Sequence, residues 1–268
     1  MSAVASFRLA AVLFASCASL AHAQNQPAPS APAAAYEPRS GQDGKDVIWL
    51  PTPQGVVDKM LDIAKVGPKD FVIDLGSGDG RTVITAAKRG ARALGIEYNP
   101  DMVEFARRNA EKAGVSPKAT FVKADLFATS FAKASVVTMF LLTDINLKLR
   151  PKILALKPGT RIVSNTFTMG EWEPDESADL AGQPGCDNSY CKVLFWVVPR
   201  RVAGTYDVAQ GQVTLKQEFQ VLTGTLGTGG TTVALKGRVR GETIVFSAGN
   251  KQYRGRLKGQ TLELREAG

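Results

Sequence analysis

Alternating glycines and a set of carboxylates define the chemistry open to this chain. The run FVIDLGSGDGR, Phe71 to Arg81, reads as a buried strand entering a glycine turn and then a helix, with Asp74, Gly76, Gly78 and Gly80 at alternate positions around Ser77. Spacing excludes two common readings. A phosphate loop needs Lys-Ser/Thr after its last glycine, where Arg81-Thr82 stand, and the dinucleotide fingerprint needs a further glycine at Arg81. Asp74 ends the first strand, Asp79 lies in the turn, Glu97 ends a second strand and Asp125 follows a third. All approach the carboxyl edge of a parallel sheet, where such folds bind ligands. Carboxylates there repel a pyrophosphate and suit a ligand with ribose hydroxyls, an amino group and positive charge. Glu97 lies about twenty residues past the turn, the position that accepts from ribose hydroxyls. S-adenosylmethionine (AdoMet) meets each requirement. Taken singly, Asp74 also reads as a helix cap and Glu97 as the partner of a surface arginine.

The elements that must position these groups follow in order. Val56, Val57, Met60, Leu61 and Ala64 recur at helical spacing until Gly67-Pro68. FVIDL, ARALGIE, ATFVKAD, SVVTMFLL, RIVSNTF and KVLFWVVP read as strands, and RTVITAAKR and PDMVEFARRNAEKAG as helices, the latter capped by Asn99-Pro100 and closed by Gly114. INLKLRPKILAL is a further helix that Pro151 breaks or restarts. Strands alternating with helices predict an α/β domain over 46–200, a Rossmann-like parallel sheet with helices on both faces. After Pro199 the helical signal ends. GRVRGETIVF and GRLKGQTLEL repeat nearly position for position, and GTLGTGGTTVAL is a looser copy. Residues 201–268 therefore read as a small antiparallel β-module of meandering hairpins, a curled sheet rather than a solenoid. Val239, Ile244, Phe246, Leu257, Leu262 and Leu264 would share one face, with Arg238, Arg240, Arg256 and Lys258 on the other.

The first 23 residues have the pattern of a secretory signal: Arg8, the apolar run LAAVLFASCASLA, and Ala21-His22-Ala23 as cleavage site. Lipidation at Cys17 is the competing reading. Residues 24–45 are Pro/Ala-rich and read as a disordered linker. His22 is the sole histidine and leaves with the signal, so histidine acid/base chemistry and Ser-His-Asp triads are excluded. Cys186 and Cys191, in GCDNSYC, read as a local disulfide in an oxidising compartment; zinc is the weaker reading, and no metal is expected. The net charge of +8 implies solubility and weak steering, because the basic residues are spread along the chain without a dense cluster. No specific nucleic-acid binding is expected.

From Trp49 to Pro199 the chain resembles class I AdoMet-dependent methyltransferases. Within them it is similar to the group holding the ATP synthase c-subunit lysine methyltransferase, archaeal protein lysine methyltransferases and bacterial relatives. The resemblance rests on WLPTP, DLGSGDGR, GIEYNP, KADLF, VVTMFLL and FTMGEWEPD. It implies that Asp74, Gly76, Ser77, Gly78 and Gly80 cradle the methionine and ribose portion, that Glu97 binds the ribose hydroxyls and Asp125 the adenine amino group, and that Pro51 and Thr52 lie over the cofactor. Relatives commonly carry Tyr where Phe140 stands, and bacterial ones often an acidic residue near Asn165-Thr166.

The function expected is AdoMet-dependent methyl transfer to protein lysine, with the β-module docking a partner. The alternatives are an exported non-catalytic nucleoside or AdoMet-binding protein and a small-molecule or lipid methyltransferase. A lysine must be neutral to attack, and the loop LLTDIN offers Asp144 and Asn146 as acceptors for its proton, although Asp144 reads first as a helix cap. Phe140 and Trp172 would supply an aromatic wall for the cation. The leader places the domain outside the inner membrane, free in the periplasm or tethered, with a membrane-proximal partner in reach. Oligomeric state is not legible.

Overall fold

The computed structural model describes residues 1–2, 36–186 and 189–267. The signal expected over 1–23, but for its first two residues, with Cys17 and the cleavage site, lies outside the described residues, as do linker residues 24–35 and Asp187 and Asn188. From Tyr36 onward the chain forms one compact unit.

The apolar runs and amphipathic stretches become α1 (Gln54–Ile63), β1 (Phe71–Leu75), α2 (Arg81–Lys88), β2 (Arg92–Glu97), α3 (Pro100–Lys112), β3 (Ala119–Lys123), β4 (Val136–Met139), α4 (Thr143–Leu154) and β5 (Arg161–Asn165). The strands lie in the order β3-β2-β1-β4-β5, all parallel. Strand order reverses at β1, which pairs with β2 on one side and β4 on the other, and the carboxyl ends of these strands open a crevice there. Local signals place the helices. Asn99 Oδ1 accepts from the backbone N–H of Asp101 at 2.9 Å and Met102 at 3.3 Å to start α3, and Pro100 fills its first turn.

The sheet departs from the expected all-parallel arrangement. β7 (Lys192–Val197) runs antiparallel to β5, and the polar insert contributes an edge strand, β6 (Glu176–Asp179), antiparallel to β7. No helix stands between β5 and β7 to carry the chain back to the starting end, so the connection permits only a reversal. The apolar run Val193–Val197 is buried on both faces and carries no directional signal of its own. α4 also runs through Pro151 unbroken. The proline occupies an exposed position, and Leu149 and Ile153 on either side of it stay in the core, which outweighs one lost backbone hydrogen bond.

The second sheet is a meander of β8 (Gly204–Val208), β9 (Gly211–Glu218), β10 (Val221–Thr228), β11 (Thr231–Arg240), β12 (Thr243–Ala248), β13 (Lys251–Lys258) and β14 (Thr261–Ala267), each antiparallel to the next. β14 approaches β8, so the sheet curls toward closure. Val239, Ile244, Phe246 and Leu262 are buried in its core with Leu257 and Leu264 packed against them, while the four repeat cations face outward, as the alternation predicts. Phe219, in the β9–β10 turn at φ 48°, stacks on Trp172 with centroids 6.1 Å apart and 12° between planes. Gln220 Nε2 donates to Glu173 O at 2.7 Å, and Arg238 pairs with Asp175 at 3.0 Å. These contacts fasten the second sheet to the first. No helix among the described residues is long and apolar enough to cross a membrane.

Candidate functional site

The crevice at the carboxyl edge holds a cavity lined at one end by Asp125 and Tyr98, in the middle by Asp74, Gly76 and Glu97, and at the other by Phe140. Asp74 is buried and accepts from Thr138 Oγ1 at 2.6 Å. Desolvation pushes its carboxyl up to about 7; the Thr138 hydrogen bond opposes that rise, and repulsion from Asp79 and Glu97 adds to it. A cationic group entering the cavity would relieve the penalty.

Glu97 is fixed by backbone rather than by a surface arginine. Its Oε2 accepts from Gly78 N–H at 3.0 Å, and its Oε1 from the N–H groups of Tyr98 at 2.9 Å and Asn99 at 3.0 Å. The glycine turn folds back on β2 through Gly76 N–H and Ser77 N–H, which donate to Ile96 O at 2.9 and 3.1 Å. Gly78 sits at φ 52°, and a Cβ there would collide with the Trp49 indole, so only glycine lets the N-terminal strap lie on the turn. Ser77 lines the cavity, while its buried hydroxyl, which has no hydrogen-bond partner, packs against Gly95 of β2.

Asp79 lines the cavity with the other expected carboxylates, but its charge is already matched by Arg81. Both its oxygens hold Arg81 Nε at 3.0 Å, and Arg81 Nη1 donates to Thr52 O at 2.8 Å. The pair is a strut between the glycine turn and Pro51-Thr52, which line the cavity from above. Sequence reasoning passed over Arg81, although a base two residues after an acid at a helix start was a usable signal. Asp125 accepts Lys45 Nζ at 2.7 Å and Phe127 N–H at 2.8 Å, and these bonds, the lysine's foremost, hold its carboxyl below the usual aspartate range. Lys45 Nζ also lies 5.1 Å from the Tyr98 ring centroid.

The far end of the cavity is aromatic, though not as expected. Phe140 lines it, but Trp172 is fully buried beneath Phe219 and Trp196, because the second sheet needs an anchor there. Phe167 and Tyr190 take its place. Their centroids lie 5.9 and 5.5 Å from Phe140 and 5.9 Å from each other. Phe167 follows Thr166, whose φ of 62° is uncommon for a β-branched residue. Ser164 Oγ donates to Phe167 O at 2.7 Å, and Thr166 N–H to Lys192 O at 2.6 Å, holding the strained turn. Of the acceptor-side candidates, Asn146 is buried and donates to Phe167 O at 3.2 Å and Thr168 O at 3.1 Å, so it supports the aromatic turn from behind. Asp144 is exposed in the first turn of α4, and neither residue lines the cavity. Among the described residues no group of three or more His, Cys, Asp or Glu is placed to hold a metal.

The ANTKMT methyltransferase domain family matches residues 74–176, which span the glycine turn, Glu97, Asp125 and Phe140. Over 133 residues the chain is 49% identical to a protein-lysine N-methyltransferase of Saccharolobus islandicus (strain REY15A), a match covering 48% of this chain and 83% of that protein. The chain belongs to this methyltransferase family. It is also 40% identical over 107 residues to the mouse ATP synthase c-subunit lysine N-methyltransferase, covering 40% of this chain and 43% of that relative. Among solved structures, an RNA methyltransferase from Salinibacter ruber in complex with S-adenosyl-L-homocysteine superposes with a TM-score of 0.53 at 46% identity, covering 57% of this chain and 96% of that one. The protein is an AdoMet-dependent methyltransferase with a Rossmann-like fold. The cavity fits that cofactor: its acidic lining of Asp74, Glu97 and Asp125 suits a ligand with hydroxyl and amino donors and a positive charge.

Proposed function

We propose that the methyltransferase acts on the side-chain amine of protein lysine. The observation that carries this is the cluster Phe140, Phe167 and Tyr190 at the end of the cavity away from Asp125. An alkyl arm packs on such a surface, and the positive charge that the amine acquires on methylation is stabilised by aromatic faces. The relatives named as lysine methyltransferases support the same acceptor.

Glu97, already oriented by three backbone N–H groups, would accept from the ribose hydroxyls. Asp125 would accept from the adenine amino group once Lys45 shifts, and Asp74 would face the positive charge. Gly76 and Ser77, which line the cavity, would supply the cradle beneath Pro51 and Thr52, with Gly78 and Gly80 shaping the turn behind them. When bound, AdoMet supplies an electrophilic methyl group on a sulfonium. The protein's part is to align the amine at near-attack distance and to exclude water, which favours the neutral, nucleophilic amine. Phe140, Phe167 and Tyr190 do both, and Asn146 and Thr166 keep Phe167 in place. The test is incubation of the purified protein with methyl-labelled AdoMet and the separated protein, RNA and lipid fractions of a lysate. Label recovered as methyl-lysine after acid hydrolysis supports the reading; label confined to RNA or lipid refutes it.

The leader supports an extracytoplasmic location, and with it a disulfide between Cys186 and Cys191, which are both buried in the same core cluster next to Tyr190. A reporter active only in an oxidising compartment, fused after Gly268, should be active. Mass spectrometry with thiols blocked before digestion should find the two cysteines linked, and two alkylated thiols would refute the pairing.

A further inference from the structure

The fold gathers cations that the sequence scatters. Residues 201–268 hold ten Lys and Arg against five Asp and Glu, so they carry +5 of the chain's +8. Strand alternation sends the apolar residues of the second sheet to its core and these charges to the outward face. Register then aligns them. Val221 pairs with Arg238, Arg238 with Val245, Val245 with Arg254 and Arg254 with Arg265, one row crossing β10 to β14. Val221 and Val245 in that row are 48% and 41% exposed. Lys236 and Arg256 flank it on the same face. At the outward positions of β11 to β14 the one carboxylate is Glu263, already shared by Arg256 at 3.2 Å and Lys258 at 2.6 Å. At the end of β11 nearest the first sheet, Arg238 and Arg240 are paired with Asp175 and Glu176. Arg254 and Arg265 have no ion-pair partner among the described residues. Like charges directly opposite each other weaken a ladder, so this pair is unfavourable until an anion joins it.

We infer that this face docks the protein on an anionic lipid surface. Arg254, Arg265 and Lys236 meet headgroup phosphates while Arg238 stays on Asp175, and Val221 and Val245 enter the boundary between headgroups and acyl chains. Two observations favour lipid over nucleic acid. No aromatic side chain stands at the outward positions of the row to stack a base. The exposed valines lie among the arginines, where a hydrated phosphodiester chain makes no use of them and a lipid interface does. The inference does not depend on the identity of the methyl acceptor.

The test is co-sedimentation of the full chain with phosphatidylcholine vesicles, with and without phosphatidylglycerol, at low and high salt. Binding should require phosphatidylglycerol and weaken with salt. Each basic residue at an anionic surface contributes roughly fivefold, so Arg254→Gln/Arg265→Gln should bind at least tenfold more weakly, and Val245→Ser severalfold. AdoMet affinity, measured on the same variants, should be unchanged, which separates lost docking from lost folding. Vesicle binding that survives the double substitution overturns the inference. Single-stranded RNA that binds more tightly than the vesicles and displaces them overturns it in favour of nucleic acid.

Discussion

Replacing Asp74 with Asn should stabilise the ligand-free protein while weakening its hold on the cofactor. The substitution keeps an oxygen for the Thr138 hydroxyl, now at 2.6 Å, and removes only the charge. In the unfolded chain this aspartate loses its proton near 3.8, whereas in the folded protein it keeps it up to about 7. Folding is therefore unpenalised by Asp74 below about pH 4, where the carboxyl is neutral in both states. The penalty grows between the two values by about 1.4 kcal/mol per pH unit and is constant above 7, where it reaches at most about 4 kcal/mol. Water entering the cavity lowers that figure, so urea unfolding at pH 8 should show the variant more stable by about 2–4 kcal/mol. Near pH 4 the two proteins should coincide. Calorimetry should show the opposite order for ligand: wild-type affinity for AdoMet rises with pH toward 7 and levels off, while the variant binds more weakly and without that slope. A variant that is no more stable than wild type from pH 5 to 8 would refute the account of Asp74, whatever its affinity.

Glu97→Gln cannot satisfy all three backbone N–H groups and removes a charged acceptor, so AdoMet affinity should fall by about 2–3 kcal/mol in calorimetry. Lys45→Ala frees Asp125 and should tighten AdoMet binding without changing the urea midpoint, since the ion pair is partly exposed. Tyr190→Ala should raise KM for a lysine acceptor while the AdoMet Kd stays put, because its ring contacts are with Phe140 and Phe167. Phe219→Ala removes the stack on Trp172 and should destabilise the protein by about 2–3 kcal/mol, read as a lower thermal midpoint.

Much of the cofactor end was legible in the sequence because its signals are local. DLGSGDGR contains its own strand end, turn and helix start, and periodicity alone places Glu97 and Asp125 at strand ends beside it. The β-module was legible for the same reason, since period-two alternation sorts Val239 from Arg238 without knowledge of any partner. The acceptor end was not, because each of its residues is placed by something distant. Trp172 looks like a site aromatic until Phe219, from another sheet, covers it, while Phe167 enters the cavity through a strained turn held by Lys192 and Asn146. Asp79 lines the cavity as its place in the turn suggests, but only the fold shows its charge matched by Arg81, which reaches across to Thr52. The direction of β7 and the basic row across β10 to β14 likewise depend on which strands become neighbours. By itself, then, the sequence determined the elements, the cradle and the cofactor class, whose signals lie within a few residues of one another. Tertiary structure decided which side chains face the cavity and which surface collects charge, because only packing brings residues from separate segments together or sets them apart.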